Sequence, residues 1–313
     1  MTRPVIALAR ELPPAFMQGI SSLGEVRIFD ASAPDQSLVG ASVWLGTAMD
    51  SVTAERIAGL PESVGLIANI GVGTDNIDLP AAAARGLQVS NTPVVTEDTA
   101  DLAMALLLAT CRRLSICEQR LRAGDFAAGA TQLGTRVHGK TLGIVGFGAI
   151  GQAVAFRARG FGMSVIYHGP SRKSSAEEVT GARYREHLSD LLAEADIVSL
   201  HCPLGQATRH LLNQETFAQM KLGAVIINTG RGPLVDEQAL VGALSSGHLG
   251  GAGLDVFEFE PEVTPQLKDF DNVTLLPHIG SATAECRMDM ALRALANIRN
   301  FLEHGRPLDV VTP

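Results

Sequence analysis

Leu142-Gly143-Ile144-Val145-Gly146-Phe147-Gly148-Ala149-Ile150-Gly151 reads as an apolar strand running into a glycine turn, and residues 152–159 behind it can continue as a helix. A GxGxxG pattern alone carries little weight, but one placed between a strand and a helix describes a dinucleotide-binding turn. In that setting Gly146 permits the tight turn, Gly148 lets backbone approach a pyrophosphate, and Gly151 lets helix and strand pack closely. The helix then offers its unpaired N–H groups to the phosphates. A glycine-rich turn that binds nothing is the competing reading, and the flanking pattern disfavours it.

Working outward, six apolar runs follow one another at residues 142–145, 164–167, 197–200, 224–228, 252–257 and 273–276. Their spacing predicts a parallel sheet with helical crossovers. Upstream, β-rich runs at 5–9, 25–29, 41–45, 65–70 and 87–89 alternate with stretches that can be helical, which predicts a second α/β unit. Between the two lies a long helical pattern over 96–123, with Leu102, Leu106, Leu107, Cys111, Leu114 and Leu121 near helical spacing and Gly124 as its stop. Met288, Leu292, Leu295, Ile298 and Leu302 mark one face of a last helix, closed by Gly305 and Pro307. No internal repeat or low-complexity tract interrupts this pattern.

With 313 residues, 46% of them hydrophobic and 19% charged, the chain can build two ordinary cores and is not expected to be disordered. A net charge of -8 argues against nucleic acid or an anionic membrane as partner, so an anionic ligand must be held by local cations. Only five apolar residues, 5–9, precede Arg10 and Glu11, which fits neither a signal peptide nor a membrane span, and a cytoplasmic location is expected. The four cysteines, Cys111, Cys117, Cys202 and Cys286, form no CxxC pair and no metal spacing with histidine, and are expected to be reduced and buried, with no metal site.

Cofactor choice is read about twenty residues beyond the fingerprint, where an acidic residue would bind the ribose 2′-OH. Tyr167-His168-Gly169-Pro170-Ser171-Arg172-Lys173 offers no carboxylate there; Ser171, Arg172 and Lys173 suit a 2′-phosphate instead, so NADPH is expected ahead of NADH. A solvated basic loop is the bland alternative. Three later strand ends carry further polar groups: Asn228-Thr229-Gly230-Arg231-Gly232, the segment from Gly253 through Asp255 to Glu260-Pro261, and Leu276-Pro277-His278-Ile279-Gly280-Ser281. Arginine can grip a planar carboxylate with two prongs. An imidazole ordinarily titrates near ~6.5, which suits proton transfer, and a carboxylate neighbour such as Glu260 favours its charged form and fixes its tautomer. Each residue alone has a dull reading, as a surface Arg, a turn His, a loop Glu or a strand-end Asp; their convergence on one rim points to hydride-transfer chemistry.

Taken together, the glycine fingerprint, Thr229-Gly230-Arg231-Gly232, the segment Gly253 to Pro261 and Pro277-His278-Ile279-Gly280-Ser281 give the chain a resemblance, over essentially its whole length, to the D-isomer-specific 2-hydroxyacid dehydrogenases. Asn91-Thr92-Pro93, the stretch 96–102 and Cys111-Arg112-Arg113-Leu114 look most like the glyoxylate and hydroxypyruvate reductase branch, which commonly prefers NADPH. The resemblance implies two Rossmann- or flavodoxin-like α/β domains with parallel sheets and an active-site cleft between them. Residues 1–98 plus 283–313 would form a discontinuous substrate-binding domain, and 99–282 the dinucleotide-binding Rossmann domain.

It also implies roles. Arg231 binds the carboxylate of a small 2-oxo acid and orients its carbonyl, His278 donates the proton, and Glu260 pairs with His278. Backbone N–H groups at Val72 and Gly73 contact substrate. The cofactor is met at Thr99, Gly146, Gly148, Ala149, Ile150, Gly151, Ser171, Arg172, Lys173, Cys202, Pro203, Thr208, Thr229, Gly230, Arg231, Asp255, His278 and Gly280. A homodimer joined through the cofactor domains is implied as well. Two positions depart from the pattern: Ala149 stands where an Arg often follows the second fingerprint glycine, and residues 125–128 lack a frequent tryptophan. The only Trp, Trp44, is read either as pocket lining or as core. The readings set against a 2-oxoacid reductase are an NAD(H)-sensing, corepressor-like binding protein, and a same-fold dehydrogenase acting on phosphoglycerate or formate. Filled catalytic positions weigh against the first, and an end at Pro313, short of an appended regulatory domain, against a phosphoglycerate enzyme.

Overall fold

In a computed structural model that describes residues 3–311, the chain divides into two units, one made of the residues up to Val95 with those from Ser281 on, the other of Thr96–Gly280. Met1 and Thr2, part of the stretch read above for a leader, lie outside the described residues.

The first unit holds β1 (Val5–Leu8), β2 (Glu25–Ile28), β3 (Ala41–Thr47), β4 (Leu66–Ile70) and β5 (Gln88–Ser90), joined at the edge by the C-terminal β13 (Val310–Val311). The order β2-β1-β3-β4-β5 is the flavodoxin-like arrangement, all parallel, and β13 adds an antiparallel edge on β5. Alternation along the strands sorts side chains to two faces. Val5, Ala7, Trp44, Ile67 and Val89 enter one core, and Ile6, Leu8, Val43, Leu45, Leu66 and Ala68 the other. The helix Ala284–His304 closes the second core with Ala294 and Ile298.

The second unit holds β6 (Thr141–Val145), β7 (Ser164–His168), β8 (Arg183–Tyr184), β9 (Ile197–Leu200), β10 (Ala224–Asn228), β11 (Leu249–Leu254) and β12 (Val273–Leu275). Their order, β12-β11-β10-β9-β6-β7-β8, is parallel throughout and reverses direction between β6 and β9. At such a reversal the loops leaving the two strands diverge and open a crevice at their carboxyl ends, where α/β sheets bind ligands. Helices Thr96–Cys111 and Ala149–Gly160 cover one face; Leu188–Glu194, Gln214–Gln219 and Glu237–Ser245 cover the other.

Several local expectations are corrected. The single helix read over 96–123 is two, Thr96–Cys111 and Leu114–Arg122, broken where Arg113 adopts a left-handed φ of 52°. The strand read as 252–257 begins earlier, at Leu249, through Gly250 and Gly251. A Cβ at Gly251 or Gly253 would collide with Asn272 or with Thr110 and Leu106, so these glycines let the helix Thr96–Cys111 and the neighbouring chain press on β11. On the last helix the buried face is Cys286, Met290, Ala294, Asn297 and Ile298; Met288 and Leu292, expected inside, are exposed. Of the four free thiols, Cys111 and Cys286 are buried while Cys117 and Cys202 are only partly so. Trp44 is core: it is 3% exposed, meets Phe29 edge-on at 5.3 Å and lies under the Arg56 guanidinium.

Candidate active site

The three fingerprint glycines differ in what surrounds them. A Cβ on Gly146, which has φ 93°, would overlap the backbone of His201 and Cys202, so only glycine lets the first turn lie against the loop leaving β9. A Cβ on Gly151 would overlap the Gly146 carbonyl, so the helix can pack onto its own strand only without one. Gly148 has ordinary φ and open space where a Cβ would sit. That open cradle at the start of a 12-residue helix, whose first turn has no side-chain cap, fits a dinucleotide pyrophosphate. Ala149 and Ile150 are the first helical residues there, and their N–H groups are the ones a phosphate would meet. A second sign is the Thr229 hydroxyl, buried at the tip of β10 with no hydrogen-bond partner, an unmet polar group that a ligand would satisfy.

The remaining expected cofactor contacts fall around this rim of the sheet. Cys202 follows β9 half-buried, and burial pushes its thiol up to about 11, which makes it inert at neutral pH. The Thr208 hydroxyl donates to the Pro203 carbonyl at 2.7 Å and so shapes the loop that carries both. Thr99 is buried next to Gly280, where an added Cβ would lie 3.3 Å from Asp255 Oδ2. Ser171, Arg172 and Lys173 are exposed after β7.

Arg231 follows β10 by way of a turn that Asn228 holds. The buried Asn228 side chain accepts from the Gly230 N–H at 3.0 Å and donates to the Arg231 carbonyl at 2.9 Å. Gly232 lets the chain after β11 cross directly over this turn, since a Cβ there would overlap Phe257 and Glu258. Asn228 also accepts the Asp255 N–H through its own carbonyl at 2.9 Å. Asp255, fully buried, passes the connection on: its main-chain carbonyl takes the His278 N–H, and its carboxylate takes those of Ile279 and Gly280, all at 2.8 Å. Burial raises the Asp255 carboxyl above its ordinary range despite these two N–H groups and the nearby His278. His278 is thereby held at φ 53°, a region that residues with a side chain rarely adopt.

Nδ1 of His278 lies 2.8 Å from Glu260 Oε2, and Oε1 of the same carboxylate accepts the Phe257 N–H at 2.9 Å. A carboxylate only accepts, so the imidazole donates through Nδ1 and its Nε2 is left for other chemistry. Burial pushes the Glu260 carboxyl up, but the hydrogen bonds from His278 and Phe257 and the charges of His278 and Arg231 outweigh it, and the net shift is downward. Glu260 is therefore an anion at neutral pH, hydrogen-bonded to the His278 imidazole and within electrostatic reach of the Arg231 guanidinium. The expected trio of Arg231, Glu260 and His278 is thus brought together on consecutive strand ends of the second unit.

Val72 and Gly73 belong to the first unit. Their carbonyls are pinned by the side-chain amides of Asn91 and Asn69, each at 2.8 Å, and Gly71 turns at φ 145° with its N–H on Thr92 Oγ1. Because the peptide is planar and trans, fixing the Val72 carbonyl aims the Gly73 N–H the opposite way.

Sequence reading missed the supports. Asn228 has no role in the sequence reading, and Asp255 is read there as a cofactor contact or a strand-end residue, not as the support that fixes the backbone of His278. Glu237, 2% exposed, accepts the Glu258 N–H at 2.7 Å and the Thr264 hydroxyl, and His210 bonds Glu258 at 2.6 Å, so a second set of polar residues braces the segment bearing Glu260. These residues lie far apart in sequence, and nothing in their local pattern marks them.

The chain is similar to known proteins over most of its length. Residues 104–280, more than half the chain, match the family model for the D-isomer specific 2-hydroxyacid dehydrogenase NAD binding domain. The chain is 42% identical to a glyoxylate reductase of Thermococcus litoralis, covering 99% of this chain and 97% of that one. It is 41% identical to glyoxylate/hydroxypyruvate reductase B of Klebsiella pneumoniae, covering 99% of each. Among solved structures it is similar to an NADPH-dependent glyoxylate/hydroxypyruvate reductase from Sinorhizobium meliloti in complex with NADP and malonate, with TM-score 0.92 and 35% identity over 99% of this chain and 97% of that one.

Proposed function

The chain belongs to the D-isomer-specific 2-hydroxyacid dehydrogenase family, and within it we propose that it is a reductase of small 2-oxo acids of the glyoxylate or hydroxypyruvate type, working with NADPH ahead of NADH. The observation that carries this reading is the His278–Glu260 hydrogen bond within the field of Arg231. A bound reduced nicotinamide supplies the hydride for the carbonyl carbon. Everything else falls to the protein.

Arg231 offers a fixed cation for the substrate carboxylate. His278, held through Nδ1 by Glu260, gives the proton on Nε2 to the carbonyl oxygen as that oxygen becomes an alcohol. Glu260 stabilises the imidazolium before the transfer and sets its tautomer, and Arg231 with His278 stabilises the developing oxygen charge, help typically worth about 3 to 4 kcal/mol per donor. Backbone N–H groups at Val72 and Gly73 are read as substrate contacts, supported by the family resemblance and by the amide-pinned loop of the first unit.

NADPH preference rests on Ser171, Arg172 and Lys173 and on the NADPH dependence of the Sinorhizobium meliloti relative. A homodimer is supported by helices Leu114–Arg122 and Phe126–Ala130, which bury none of their own residues and leave Leu114, Leu121, Phe126 and nearby Leu133 exposed. A cytoplasmic location is supported by the free thiols; no helix among the described residues is long and apolar enough to cross a membrane. Steady-state assays with glyoxylate, hydroxypyruvate and bulkier 2-oxo acids, each with NADPH and NADH, test the reading. Consumption of NADPH with the two small acids and not with bulky ones supports it, and no consumption of either cofactor with any acid removes it. Light scattering in solution reads the oligomeric state.

A further inference from the structure

The basic loop after β7 is held from behind. The Arg172 side chain is 64% exposed, yet its Nε and Nη2 reach the Glu177 carboxylate at 2.9 and 2.8 Å. Glu177, 14% exposed, also accepts the Tyr167 hydroxyl at 2.7 Å, and the same phenol oxygen accepts the Lys173 N–H at 2.7 Å. Tyr167 is fully buried and stacks on Phe147 with ring centroids 3.9 Å apart and planes 16° from parallel. Phe147 stands between the first two fingerprint glycines. A continuous column therefore runs from the phosphate turn through Phe147, Tyr167 and Glu177 to Arg172.

This arrangement goes beyond what a solvated surface arginine needs. A free Arg must lose rotamer freedom to hold a ligand, and ordering it beforehand removes that loss from the binding step. Glu177 takes Nε and one terminal nitrogen, which leaves the Nη1 end of the fork outward. Bonds from Arg172 and Tyr167 hold the Glu177 carboxyl below its ordinary range, and Glu177 in turn raises Arg172, so the pair stays ionised through the neutral range. Burial pushes the Tyr167 phenol up, and it keeps its proton.

We propose that Tyr167 and Glu177 are positioning residues that hold Arg172 ready for the 2′-phosphate of the dinucleotide and thereby set the preference for the phosphorylated cofactor. The inference rests on the NADPH reading above and names what makes it selective. Neither residue is placed in the proton-transfer machinery.

The test uses two small probes, 2′,5′-ADP and 5′-AMP, which differ only in the 2′-phosphate, with affinities measured by calorimetry on the whole chain. Tyr167→Phe keeps the stacked ring and every charge. It is expected to weaken 2′,5′-ADP by about two- to tenfold, the range for one disordered long side chain, and to leave 5′-AMP unchanged. Glu177→Ala also adds net positive charge, so it is read in high salt, where exposed charges are screened, and the same direction is expected. An unchanged ratio in both variants, or a rise for Glu177→Ala in low and high salt alike, overturns the positioning role; the rise would mean that Glu177 opposes the phosphate. A wild-type chain that binds both probes equally removes the NADPH reading, and the positioning role with it. A wild-type preference that survives both substitutions removes the positioning role alone.

Discussion

The main-chain carbonyl of Asp255 accepts the His278 N–H at 2.8 Å while the Asp255 carboxylate ties down the next two N–H groups, so one buried residue fixes the backbone on which the imidazole stands. Through Asn228, which accepts the Asp255 N–H and holds the Arg231 carbonyl, the same path reaches the backbone that carries the guanidinium. The two groups proposed to meet the substrate are thus placed by a short run of buried polar bonds at neighbouring strand tips.

Asp255→Ala leaves the N–H groups of Ile279 and Gly280 without their acceptor. Each such loss costs about 1 to 3 kcal/mol, and urea unfolding should register a destabilisation of that order together with a lower kcat. Unchanged stability and turnover would mean that the loop is held by other contacts.

Glu260 is depressed in the folded chain, so its contribution is present above the ordinary carboxylate value and is lost as pH falls through its folded value. At neutral pH it is charged and accepts from the imidazole Nδ1. Glu260→Gln keeps the shape but removes the charge on that acceptor, and should lower kcat for 2-oxo acid reduction by about ten- to a hundredfold while leaving NADPH affinity near the wild-type value. An unchanged kcat would separate Glu260 from the proton donor.

The fingerprint glycines predict opposite phenotypes. Gly148→Ala adds a methyl group into open space at ordinary φ, so melting temperature should be unchanged while NADPH affinity falls because the phosphate cradle is filled. Gly151→Ala forces overlap with the Gly146 carbonyl and should lower stability itself. A Gly148→Ala protein with normal NADPH affinity would move the pyrophosphate elsewhere.

Burial pushes the His201 imidazole down to about 4, and its Nε2 lies 2.8 Å from the buried Ser199 hydroxyl. An unfolded imidazole protonates near ~6.5, so below that value the unfolded chain binds more protons and stability must fall as pH drops toward the folded value. His201→Gln should flatten the unfolding free energy across that window. A wild-type profile already flat from neutrality to pH ~4 would show that the ring titrates normally.

Much of this was legible in the chain. Continuous apolar runs marked most strands, and the fingerprint with its flanking strand and helix located the turn, because these signals are local. What was not legible depends on neighbours distant in sequence. The glycines of β11 look like a loop until the helix Thr96–Cys111 is seen pressing on them, and Met288 and Leu292 look internal until Met290 and Ala294 are seen to be the buried residues of that helix. Of the candidate site, Arg231, Glu260 and His278 stood out by residue type at strand ends. Their supports, Asn228, Asp255 and Glu237, are ordinary polar residues whose significance lies in burial. Arg172 was visible as a cation, whereas the Glu177 carboxylate behind it comes from the following helix.

The most direct measurement is turnover of His278→Ala with glyoxylate and NADPH, taken alongside its NADPH dissociation constant. If the imidazole is the proton donor, kcat falls by about two to four orders of magnitude while cofactor affinity stays near the wild-type value. A kcat within a few-fold of wild type would contradict the account.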